Sequence, residues 1–173
     1  MRISNYFIKR KIENLAKKGN RTKTFKSLDE IDRAIIFCNS SECKKIFSCV
    51  SRLEEMGKKM LVCSYGGLSG KEVNEGTSVL EVSPQKDLNF FGMPSSSIIK
   101  KLNDFKPDIL IDLTSRVSYP MEYLFLACEC DFKTGIKKKD HEHYDFSISV
   151  TESTDIDYLF NQIIFYLQTI RTK

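Results

Sequence analysis

The chain has only two histidines, His141 and His143, and both lie in one charged stretch, KKKDHEHYD. A nucleophile–base–orienter set would have to draw its base from that stretch, and no GxSxG turn is present to supply the nucleophile. The His-x-His pair lacks a third ligand at recognisable spacing, and Cys128-x-Cys130 is not the CxxC of zinc or thioredoxin-like sites. Both histidines are expected on an exposed loop. No catalytic residue, metal ligand or cofactor is nominated. Glycine is missing where a phosphate-cradling loop needs it, because after Cys38 the chain reads NSSECKK. GGLSGK, Gly66 to Lys71, lacks GxxxxGK[ST] spacing and reads as a loop. No apolar run approaches the roughly 20 residues that cross a bilayer. The amino terminus, MRISNYFIKRKIENLAKKG, has no secretory apolar block. The six cysteines follow no disulfide-scaffold spacing. Cys38, Cys63 and Cys128 sit in apolar runs and read as buried thiols of a reducing cytoplasm.

What is present begins with apolar runs of strand length. The 173 residues suit one domain plus an appendage, with 41% hydrophobic and 29% charged residues. Runs at 33–38, 58–65, 108–113 and 132–136 are nearly continuous, which suits parallel strands covered on both faces. Shorter strands are expected at 78–82, at or near an edge, and at 146–150. Helical periodicity marks residues 2–18, 42–56, 96–103, 120–128 and 155–170, with Ser40 or Ser41 capping the second. Strands alternating with helices predict a three-layer, Rossmann-like α/β sandwich. Its sheet is mainly parallel and five- or six-stranded, and a basic amino-terminal helix precedes it. The expected division is a basic helical arm and linker over 1–27 and a single α/β domain over 28–173. The expected core includes Ile35, Ile36, Phe37, Leu61, Val62, Leu110, Ile111, Leu113, Leu124, Phe132, Ile148, Leu159 and Ile163.

Charge divides the chain unevenly. Residues 1–26 hold Arg2, Lys9, Arg10, Lys11, Lys17, Lys18, Arg21, Lys23 and Lys26 against Glu13 alone, a net +8, and the remaining 147 residues carry −4. A basic segment on an acidic domain points to a polyanionic partner, either RNA or an anionic membrane. Tyr6, Phe7, Ile8, Ile12 and Leu15 suit the membrane case. The plainer reading is that the apolar stripe of this helix packs on the domain. The leading expectation is a non-catalytic cytoplasmic binding protein, peripheral at the inner membrane face if its partner is lipid.

The alternative is a small-ligand-binding protein or enzyme. Open α/β sheets bind ligands at the carboxyl ends of their strands. Asn39, Ser40, Ser64, Tyr65, Asp112, Thr114, Ser115 and Arg116 end or follow predicted strands and form the candidate wall. Arg116 would hold a phosphate and Asp112 would orient a hydroxyl. The plain reading of Asp112 is a structural hydrogen-bonded carboxylate, and that of Ser40 is a helix cap. In the loop Asn89-Phe90-Phe91-Gly92-Met93-Pro94, adjacent aromatics cannot both enter one core from a regular strand. One is expected to be exposed, and one to pack on the basic helix.

Three features together carry a resemblance: the basic amino-terminal helix, the loop Asn89-Phe90-Phe91-Gly92 with Pro94, and the block DILIDLT…YPMEYL…C-x-FKTG. They resemble an uncharacterised family of small bacterial α/β proteins, chiefly from Bacteroidota, described as a domain of unknown function. That implies an α/β domain without an assigned activity. Asp112, Leu113 and Gly135 are similar to positions in the amino-terminal half of lipopolysaccharide heptosyltransferases. The sequence ends where the nucleotide-sugar-binding half of those enzymes would begin, so what the likeness implies is an expectation about fold.

Overall fold

The computed structural model describes residues 3–18, 24–66, 77–138, 143–149 and 155–170. Six strands, β1 (Arg33–Asn39), β2 (Lys59–Tyr65), β3 (Ser78–Val82), β4 (Ile109–Asp112), β5 (Phe132–Ile136) and β6 (Phe146–Ile148), form one sheet. Their order is β3-β2-β1-β4-β5-β6 and every pairing is parallel. This is the doubly wound order whose direction reverses between β1 and β4. β3 is an edge strand, as expected of the short run at 78–82.

Alternation along the strands divides the core. Ile36 and Cys38 face α2 (Cys43–Glu55) and α5 (Ile156–Thr169). Ile35 and Phe37 face α3 (Ser96–Asp104) and α4 (Tyr119–Ala127). Every expected core residue is buried except Ile148, which is half-buried on β6 at the opposite edge from β3. Helix α2 starts later than its serines suggest. A 3-10 turn occupies Ser40–Glu42 because the Glu42 carboxylate folds back onto the amide of Asn39.

Helix α1 (Ile3–Lys18) lies on the outside of α4, with Ile8 and Ile12 buried. Its apolar stripe at i, i+4 therefore packs on the domain. The segment after residue 23 is also fastened. Phe25 packs on Phe132 at 5.3 Å, and Lys26 reaches Asp108 at 2.9 Å and Asp131 at 3.3 Å. Asp108 joins three pieces of chain, since it also accepts the backbone N–H of Asp32 and Arg33, each at 2.9 Å. Partial burial alone would raise its pKa. The Lys26 ammonium and the two amides outweigh burial and hold the carboxyl below its usual range. Ionised Asp108 thus stabilises the fold at pH above about 3.9, the ordinary carboxylate value, and the contribution fades as pH falls through the lower folded value. Asp108→Ala is expected to cost about 1–2 kcal/mol at neutral pH, the scale of stranding two amides. In urea titrations against pH, the difference from wild type should shrink on acidification. A difference independent of pH would assign the loss to packing.

Candidate functional site

The carboxyl ends of β1, β2 and β4 bring most of the expected wall together, but not as a phosphate cradle. Asn39 and Tyr65 are register partners, as are Cys38 and Ser64. The crevice at the switch point is filled by Glu42. Its Oε2 accepts the Asn39 backbone N–H at 3.2 Å and side-chain N–H at 3.0 Å, and its Oε1 accepts the Ser115 N–H at 3.3 Å. A carboxylate of the protein stands among the amides that would otherwise receive a phosphate. Ser64 is buried, with Oγ 3.4 Å from Cys43 Sγ, which lies 3.5 Å from Cys38 Sγ. Hydrogen bonding from Cys38 and Ser64 at the amino end of α2 lowers the Cys43 pKa to about 7 despite burial, and the Cys38 thiol is pushed up. Ser115 and Arg116 are exposed and outside the pocket described next.

Asp112 and Thr114 belong to a pocket on the other side of β4. Thr114 donates its N–H at 2.9 Å and its hydroxyl at 2.6 Å to Asp112 Oδ1. Oδ2 accepts the Tyr144 hydroxyl at 2.7 Å and the Lys138 ammonium at 2.6 Å, and that ammonium also donates to the Thr114 hydroxyl. Burial and the Asp112 charge push the Tyr144 phenol well above its usual range, so it remains a donor. Across the opening His143 Nε2 lies 2.8 Å from Glu122 Oε1. The walls are completed by Val117, Met121 and Phe125, with Ser118, around about 330 Å³ of space including the mouth.

Gly135 makes this arrangement possible. A Cβ there would stand 2.7 Å from the Asp112 carbonyl oxygen and 2.8 Å from Tyr144 Cε1. His143 is half-buried, contrary to the exposed position expected of it, because its ring reaches Glu122 on α4. His141 lies outside the described residues. Lys138, His143 and Tyr144 escape sequence reasoning because a run of charge reads as solvated, and Glu122 because a single acid in the helix YPMEYL carries no spacing signal. The rule that pointed to Asp112, looking just past the carboxyl end of a strand, applies equally after β5. Among the described residues, no three His, Cys, Asp or Glu side chains gather in a metal-binding arrangement.

The second surface is the outer face of α1. Arg10, Lys11 and Lys17 are exposed, whereas Lys9 lies over the Tyr119 ring at 4.9 Å and Lys26 is held by Asp108. Arg2, Arg21 and Lys23 lie outside the described residues, as does the side chain of Lys18. Tyr6 and Phe7 stand one turn before Arg10, on the side away from Ile8 and Ile12. Phe7 meets Phe91 edge-on at 4.9 Å, and Phe91 meets Phe90 at 5.5 Å. The loop therefore packs on the basic helix through Phe91, as its sequence suggests, and leaves Phe90 89% exposed.

The turn that carries Phe90 is tied down. Asn89 Oδ1 accepts the N–H groups of Phe91 at 2.9 Å and Met93 at 3.1 Å, and Asn89 N–H donates to the Met93 carbonyl at 2.9 Å. Gly92 takes φ +73°, a conformation that side chains disfavour. Among the described residues no helix is long and apolar enough to cross a membrane.

Over residues 5–170 the sequence matches the family described as "Family of unknown function (DUF6913)", and the chain belongs to that family. No curated protein and no solved structure matches it.

Proposed function

We propose that this DUF6913 protein acts by binding rather than catalysis, attaching peripherally to an anionic membrane through the outer face of α1 and the Phe90 turn. The observation that carries the reading is Phe90, an 89% exposed phenylalanine at the tip of a pinned turn. It is continuous with the exposed rings of Phe91, Phe7 and Tyr6 and shares a surface with Arg10, Lys11 and Lys17. An apolar knob beside cations matches a bilayer interface, where hydrocarbon lies under anionic headgroups. Base stacking on RNA needs free flat ring faces. These rings meet edge to face, with interplanar angles of 80°, 62° and 82°, and so present no run of parallel faces for successive bases.

The magnitudes support weak, reversible attachment. Burying one phenylalanine contributes about 1.5–3 kcal/mol and each cation near an anionic surface about 1 kcal/mol. Removal of residues 1–26 would also strip Ile8 and Ile12 from α4, so point substitutions make the sharper test. Sedimentation with phosphatidylglycerol-containing vesicles should show binding that neutral phosphatidylcholine vesicles do not support. Phe90→Ala should weaken it about tenfold, and combined Arg10→Glu and Lys17→Glu should abolish it, with thermal stability unchanged. Binding to RNA that ignores Phe90, without binding to anionic vesicles, would replace the membrane by a nucleic acid. Absence of binding to either polyanion would remove the reading.

A further inference from the structure

We propose that the pocket at the carboxyl ends of β4 and β5 binds a small, neutral, hydroxyl-bearing molecule. Four observations lead there, none of them involving the α1 surface. The first is charge. Lys138 is matched by Asp112 at 2.6 Å and His143 pairs with Glu122 at 2.8 Å, so among the described residues the lining has no surplus cation. Arg116, the side chain best suited to an anion by sequence, is exposed outside the lining. A phosphate dianion entering here would meet two carboxylates, and the Lys138 ammonium is already committed to one of them. A hydroxyl group can accept from one member of such a pair and donate to the other without altering the charge balance.

The second observation is Ser118. Its Oγ is buried and has no hydrogen-bond partner among the described residues, although it lines the pocket. Buried hydroxyls are nearly always paired, so an unpaired one in the pocket wall calls for a polar partner, which a ligand can supply. The third is the remaining wall. Val117, Met121 and Phe125 offer apolar surface to the C–H face of a polyol, in an opening of about 330 Å³ that includes the solvent at its mouth. The fourth is preorganisation. Close approach at Gly135 sets the Tyr144 ring against Asp112, and four donors fix both Asp112 oxygens before any ligand arrives.

The experiment screens neutral probes (D-glucose, D-mannose, D-ribose and myo-inositol) against inorganic phosphate and AMP at millimolar concentration. Thermal shift and saturation-transfer NMR provide the readouts on the full chain. At least one neutral probe should raise the melting temperature and receive saturation, and phosphate should do neither. Val117 stands 47% exposed at the mouth, so Val117→Trp should block entry without disturbing the core. It is expected to erase both signals. Ser118→Ala, a smaller change, should weaken binding about tenfold, and it serves if the tryptophan variant does not fold. Protection by phosphate or AMP alone overturns the proposal. So does a neutral-probe signal that survives both variants, or the absence of any neutral-probe signal. Vesicle binding is read separately, so failure of one proposal does not touch the other.

Discussion

Lys133→Met is expected to lower the unfolding free energy by about 3 kcal/mol. Lys133 lies on β5, and 3% of its surface is exposed. Its ammonium donates to the carbonyls of Phe125 at 2.7 Å, Leu126 at 3.3 Å and Cys128 at 2.8 Å. These oxygens close the carboxyl end of α4, where the last carbonyls of a helix have no partner within it. A cation there also meets the negative end of the helix dipole. Methionine keeps the length and apolar character of the stem and removes only the donor. Burying an ammonium is costly, and replacing a whole buried ion pair by apolar side chains is often neutral. That escape is closed here, because the partners are backbone carbonyls that no substitution removes. Stranding buried acceptors costs about 1–3 kcal/mol each, and the relief of desolvation returns part of the sum. Urea unfolding should show a lower midpoint at unchanged slope. A loss below about 1 kcal/mol would mean that solvent reaches the end of α4 in the variant.

Lys133 also shows where the sequence is silent. The strand that contains it was legible, because Phe132 and Ile136 bracket a run bounded by turn residues. The burial of its lysine was not, since lysine reads as surface unless its partner is known, and here the partner is the end of a helix. The parallel sheet was legible for the opposite reason. Ile35–Phe37, Leu61–Val62 and Ile109–Ile111 are apolar on consecutive positions, which a strand tolerates only when both faces are covered. The aromatic loop was legible in part. Strand geometry requires adjacent phenylalanines to diverge, and Phe91 does turn to α1 as Phe90 turns outward.

The pocket was half legible. Asp112 and Thr114 could be placed at the end of a strand, but their partners Lys138 and Tyr144 are 24 to 32 residues away, in a stretch whose charge suggested solvent. Nothing local distinguishes a lysine that will meet Asp112 from its neighbours Lys137 and Lys139. Glu42 was hidden in the same way. Its carboxylate takes the amides of Asn39 and Ser115, which no spacing rule pairs with it.

Gly135→Ala is expected to destabilise the protein by about 2 kcal/mol and to remove binding of any neutral probe. Gly135 is paired with Asp112 across β4 and β5, both interior to the sheet. Its backbone is not in the left-handed region, so the requirement for glycine is one of space. An added Cβ would lie 2.7 Å from the Asp112 carbonyl oxygen, 2.8 Å from Tyr144 Cε1 and 2.9 Å from Asp112 Cβ. Two of these three neighbours belong to a central strand and cannot swing away. On conformational grounds alanine should help, since glycine in a strand interior is about 0.5–1 kcal/mol worse. Overpacking of an interior site costs about 1–3 kcal/mol or more, so the net sign is a loss.

The third neighbour offers a control. Tyr144→Ala removes the ring contact and leaves the Asp112 contacts in place. The double variant Gly135→Ala, Tyr144→Ala should therefore be more stable than additivity predicts, by at least about 0.5 kcal/mol, the threshold for neighbours that share a contact. Additive losses would place the strain entirely on the β4 backbone. Tyr144 would then be an ornament of the pocket and not the reason that β5 keeps a glycine.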